Sequence, residues 1–84
     1  MSNEFKEVID LLNNHLIETF KQADGSYKVY TINTKLNIQP SEITLYEKSG
    51  KLFISRKVGQ ICLDLEYDFN SDYISKVKKL FKLS

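Results

Sequence analysis

Tryptophan is absent from this 84-residue chain, and cysteine, histidine, proline and methionine occur once each. With Cys62 alone, no intrachain disulfide can form, and a small domain without disulfides fits a reducing compartment. The single histidine, His15, has no cysteine or second histidine within helical reach, so it cannot form a dedicated zinc site. Gly25, Gly50 and Gly59 are the only glycines and each is explained by a turn, which leaves no glycine-rich loop to cradle a phosphate. No segment approaches the ~18 apolar residues of a membrane span. The opening Met-Ser-Asn-Glu-Phe-Lys-Glu has two acids and no apolar run of secretory length. A cytoplasmic location without membrane contact is therefore expected.

Charge of either sign is also in short supply as an excess. The formal net charge of +1 creates no field able to concentrate nucleic acid or anionic lipid around the whole molecule, so any charged contact must be local. Eleven lysines against the single Arg56, with many Asn and Ile, suit an AT-rich bacterial or phage genome. Hydrophobic residues at 42% and charged residues at 27% match a folding chain rather than a disordered one. Residues 1–84 are expected to form one domain. At this size a chain removes only roughly 60 to 65% of its unfolded surface from water, so self-association as a homodimer would help.

What is present most clearly is alternation. Ile61, Leu63, Leu65, Tyr67 and Phe69 occupy every second position, with Cys62, Asp64, Glu66 and Asp68 between them. Successive side chains of a pleated strand point opposite ways, so one face is apolar and the other wet. Two flanking segments have a helical period instead. Phe5, Val8, Ile9, Leu12, Leu16 and Phe20 line one stripe of a helix over 3–23, capped by Ser2 or Asn3 and stopped at Asp24-Gly25. Tyr73, Ile74, Val77, Leu80 and Phe81 do the same over 71–82, with N-cap candidates at Asn70-Ser71-Asp72. Between them, β-branched and aromatic residues mark strands at 27–34, 43–48, 51–57 and 60–69. Pro40 assigns 35–42 to a loop. The order is α-β-β-β-β-α, an α+β, two-layer fold with a four-stranded antiparallel meander sheet.

Parity constrains the hairpins. Strand four buries odd positions, and strand three can bury Leu52 and Ile54 only by using even ones, so facing residues sum to an odd number. Val58 resists positive φ, which favours a four-residue loop at 57–60. Leu52 then faces Leu65, Ile54 faces Leu63, Lys51 faces Glu66 and Phe53 faces Asp64. At Ser49-Gly50 the same rule sets Leu45 across from Ile54 and Tyr46 across from Phe53. If Tyr27 and Val29 share the face of Tyr46 and Phe53, the second side of the sheet carries an apolar patch beside Asp64 and Glu66. Such a patch beside charge marks a protein-partner surface unless a terminal helix covers it.

Other constellations are weighed against plainer roles. Asp64, Glu66 and Asp68 recur at roughly 6.6 Å steps on one strand face, a spacing that only permits a divalent cation, and the favoured reading is a wet face neutralised by Lys51 and Lys57. No metal or cofactor is assigned. Acids beside Cys62 discourage the thiolate that a nucleophile needs. Lys76, Lys78, Lys79 and Lys82 give the last helix a basic face that attracts phosphate without the bidentate base reading of arginine, or that simply matches the helix dipole. The expectation is a non-enzymatic protein-binding module of the inhibitor, adaptor or immunity type, using Tyr27, Val29, Tyr46, Phe53, Asp64 and Glu66. A nucleic-acid accessory role through the four lysines is the alternative.

Overall fold

The computed structural model describes residues 2–31 and 41–83. Helix α1 (Asn3–Asn14) leads into strands β1 (Phe20–Lys21), β2 (Tyr27–Thr31), β3 (Ser41–Lys48), β4 (Lys51–Val58) and β5 (Ile61–Asp68), and helix α2 (Tyr73–Leu80) follows. The strands form one antiparallel sheet in the order β1-β2-β3-β4-β5. The α+β class and both terminal helices agree with the sequence reading. Among the described residues the strands number five rather than four, because the tail of the expected first helix is a strand.

Helix α1 starts as anticipated, with the Ser2 hydroxyl accepting from the Phe5 N–H at 3.1 Å. It stops at Asn14 rather than residue 23. Leu16 adopts a left-handed φ of 63°, the Ile17 N–H donates to the Leu12 carbonyl, and the Leu16 N–H donates to the Asn13 carbonyl. This bond pair is a Schellman ending, built here on a leucine instead of the usual glycine. Phe20 therefore leaves the helical stripe and joins β1, while Asp24-Gly25 turns the β1–β2 hairpin, with Gly25 at φ 91°. Helix α2 ends the same way, with Lys82 at φ 57° and the Leu83 N–H donating to the Lys78 carbonyl at 2.7 Å.

Strand bounds differ from expectation mainly where the turns are tight. Ser41 and Glu42 belong to β3 rather than to the loop, and residues 32–40, including Pro40 and the end of the expected first strand, lie outside the described residues. Ser49 and Gly50 both have positive φ, the signature of a type I′ hairpin. Tyr46 faces Phe53 and Leu45 faces Ile54, as parity requires. The β4–β5 loop is shorter than expected. Gly59 and Gln60 alone turn the chain, with Gly59 supplying a φ of 61° and Val58 pairing with Ile61. The register therefore moves by two residues. Leu52 faces Tyr67, Ile54 faces Leu65, Lys51 faces Asp68 and Phe53 faces Glu66. A two-residue shift leaves every side chain on its original face.

Among the described residues the buried core lies on one side of the sheet. Phe5, Val8, Ile9 and Leu12 from α1 and Tyr73 and Val77 from α2 form one buried cluster with Val29, Ile43, Leu45, Leu52 and Ile54. Each fully buried large aliphatic or aromatic side chain contributes about 1.5–3 kcal/mol through removal from water. Tyr27 and Val29 lie on this side, contrary to expectation, because β2 pairs Tyr27 with Leu45 and Val29 with Ile43. Val29 is wholly buried, and the Tyr27 ring meets Phe5 edge-on at 5.7 Å. The apolar row of β5 is only partly covered. Leu65 and Tyr67 are half-buried, whereas Ile61 and Leu63 remain 63% and 54% exposed on the helix side.

Candidate functional site

Antiparallel partners share a face, so the register assembles the opposite side of the sheet row by row. One row runs Phe20, Lys28, Thr44, Ser55, Asp64; the next runs Tyr30, Glu42, Lys57, Cys62. Beyond Thr44 come Tyr46, Phe53 and Glu66, then Lys48, Lys51 and Asp68. Both helices bury their apolar stripes on the far side, and among the described residues none is a helix over these rows.

Two aromatic pairs stand on this open face. Tyr46 and Phe53 stack with centroids 5.0 Å apart and planes within 7°. Phe20 and Tyr30 meet at 5.9 Å in a tilted arrangement. Tyr46 is 39% exposed and Phe53 is half-buried, so the stacked pair keeps an accessible flank. An aromatic pair adds about 0.5–1.5 kcal/mol beyond its burial. The rings thus have a local reason to be ordered before anything docks.

Charge frames the aromatic pairs. Lys28 Nζ lies 2.9 Å from Glu42 Oε1, and Lys51 Nζ lies 2.7 Å from Glu66 Oε1. The hydrogen bond to each glutamate, then its charge, holds both ammonium groups above the ordinary lysine range. Lys51 reaches Glu66 diagonally rather than directly across the ladder, so the expected ion pair survives the altered register. Asp64 stands opposite Ser55. Among the described residues, no three His, Cys, Asp or Glu side chains are grouped to hold a metal ion.

The expected partner-binding set is therefore divided. Tyr46, Phe53, Asp64 and Glu66 share the open face, while Tyr27 and Val29 belong to the core side. Phe20, Tyr30 and the Lys28–Glu42 pair join the face instead. Parity could not have placed them, because β2 carries apolar residues on both faces and only its pairing with Ile43 and Leu45 decides between the faces.

A cleft of about 570 Å³ opens beside Tyr46, where β2 and its turn stop short of the end of β3. Phe5, Asp24, Tyr27, Tyr46 and Glu47 line it. Both of these carboxylates are already engaged. Asp24 accepts from the Ser26 hydroxyl at 2.6 Å and the Ser26 N–H at 3.0 Å, and these bonds hold it below the usual carboxylate range. Glu47 accepts from the Ser2 N–H at 2.8 Å and from the Ser2 hydroxyl, tying the start of α1 to β3.

The lysines of α2 are disposed unevenly. Lys76 lies over the Tyr67 ring at 5.5 Å, Lys78 is half-buried, and Lys79 and Lys82 are exposed. His15 is exposed and its Nδ1 lies 2.9 Å from the Leu11 carbonyl, so local bonding explains its placement. Cys62 is exposed on the outer face at the sheet's edge. No helix among the described residues is long and apolar enough to cross a membrane. Comparison with known protein families, with curated proteins and with solved structures finds no match for this chain.

Proposed function

We propose that this chain is a small protein-binding module without catalytic activity, of the inhibitor, adaptor or immunity type, and that it docks through the open face of its sheet. The observation that carries this reading is the stacked Tyr46–Phe53 pair, ordered on a face opposite both helices and edged by Glu66 and Lys51. Aromatic side chains flanked by charge suit the anchor-and-rim anatomy of protein interfaces. Rigid stacked rings also lose little freedom on docking, which favours affinity.

The test is the double substitution Tyr46→Ser with Phe53→Ser. Circular dichroism is expected to report a folded protein, destabilised by the about 0.5–1.5 kcal/mol of the aromatic pair together with the lost burial of half-buried Phe53. Sedimentation velocity and pull-down are expected to register loss of self-association and partner capture. Association unchanged in the variant removes this face from the interaction, and an unfolded variant shows the pair to be structural.

A further inference from the structure

We propose that the free edge of β5 accepts a cationic extended segment of another protein as an added strand. This rests on the protein-binding reading but uses the edge of the sheet rather than the Tyr46–Phe53 pair. β5 is the last strand of the sheet, bonded to β4 on one side, and among the described residues no strand pairs with its other side. The Phe69 N–H donates to the Gly50 carbonyl, which fixes which pairs carry ladder bonds. Counting back in twos, Tyr67, Leu65, Leu63 and Ile61 bond toward β4. The main-chain N–H and C=O groups of Cys62, Asp64 and Glu66 consequently point away from the sheet. At Asp68 the pattern closes, because its carbonyl already accepts from the Ser71 N–H at 3.0 Å and the Ser71 hydroxyl at 2.6 Å.

Side chains determine what fits that edge. A strand laid alongside sets every second residue next to Cys62, Asp64 and Glu66 on the outer face, and the intervening residues next to Ile61, Leu63 and Leu65 on the helix side. The first set meets carboxylates, of which only Glu66 has a lysine within ion-pair distance among the described residues. The second meets Ile61 and Leu63, the exposed apolar overhang beyond the helices. The complementary segment alternates Lys or Arg with aliphatic residues.

A second copy of the chain fits poorly. In the two longest antiparallel β5–β5 registers that keep the helices on one side, Asp64 faces Asp64 or Asp64 faces Glu66. Like charges directly opposite oppose pairing. The same acids that recruit a cationic strand thus discourage edge-to-edge dimers.

The probe is a capped peptide alternating lysine with isoleucine, compared with its glutamate counterpart, added to the full chain labelled for amide hydrogen exchange. The lysine peptide is expected to slow exchange at Cys62, Asp64 and Glu66 by about tenfold or more, while the glutamate peptide does not. Asp64→Pro should abolish the protection, since its N–H faces outward and the β4 ladder stays whole. Asp64→Lys should shift the preference toward the glutamate peptide, which keeps the test decisive if the proline variant does not fold. Protection should persist in Tyr46→Ser/Phe53→Ser, separating this edge from the aromatic face. Equal protection by both peptides, or none by the lysine peptide, overturns the proposal.

Discussion

Tyr73 sits almost fully buried between the two helices, and its hydroxyl lies 3.1 Å from Glu7 Oε2. Burial first, then the bond and charge of Glu7, raises the phenol above its ordinary value of 10.0. The folded state therefore binds this proton more tightly than the unfolded chain does. The resulting stability is fully present below pH 10 and is lost as pH rises through the folded-state value. Tyr73→Phe should cost about 0.5–1.5 kcal/mol at neutral pH, the usual worth of one hydrogen bond. Above pH 10 the wild-type protein should lose stability more steeply than the variant. Parallel denaturant titrations across pH 8–11 check this, and identical slopes would remove Tyr73 as the source.

Helix α1 ends at a residue that resists its conformation. Leu16 is 93% exposed at φ 63°, so its side chain offers almost no burial to offset a left-handed backbone. Leu16→Gly should stabilise the protein by about 1 kcal/mol, visible as a higher thermal midpoint. A lower midpoint would mean that Leu16 makes contacts worth more than its strain. This ending explains why the helix is shorter than its apolar period suggests. Leu16 and Phe20 continue the helical period, and the periodicity does not register that Asn13-Asn14-His15 is a poor place to extend. Nor does a two-residue strand such as β1 have room to display alternation. The eight-residue β5 does, and which residues share each face was legible, as was the Tyr46–Phe53 pairing. The expected burial of Ile61 and Leu63 was not met, since both lie exposed beyond the helices. The exact register of β5 was not legible either, because parity excludes odd shifts but leaves shifts of two equally acceptable.

At the scale of the whole molecule, both helices and the sheet share one buried cluster, and neither helix has another core to rest on among the described residues. Leu12→Ala should destabilise the chain by about 2–5 kcal/mol and lower the melting of helix and sheet signals together. Separate far-ultraviolet and tyrosine transitions would show instead that the layers unfold independently. The candidate site was only half legible for a related reason. Tyr27 and Val29 carry apolar groups on a strand whose other side bears Tyr30, so composition alone does not say which side the helices take. That choice is made by pairing with Ile43 and Leu45, a long-range fact.

The two flanks of the sheet are unequal in length: β1 has two residues and β5 has eight. A growing fibre needs a template at both ends of every unit, so that each newcomer leaves a fresh site for the next. In a head-to-tail stack of copies, the eight-residue β5 of one would meet only the two-residue β1 of the next, a poor template for a growing fibre.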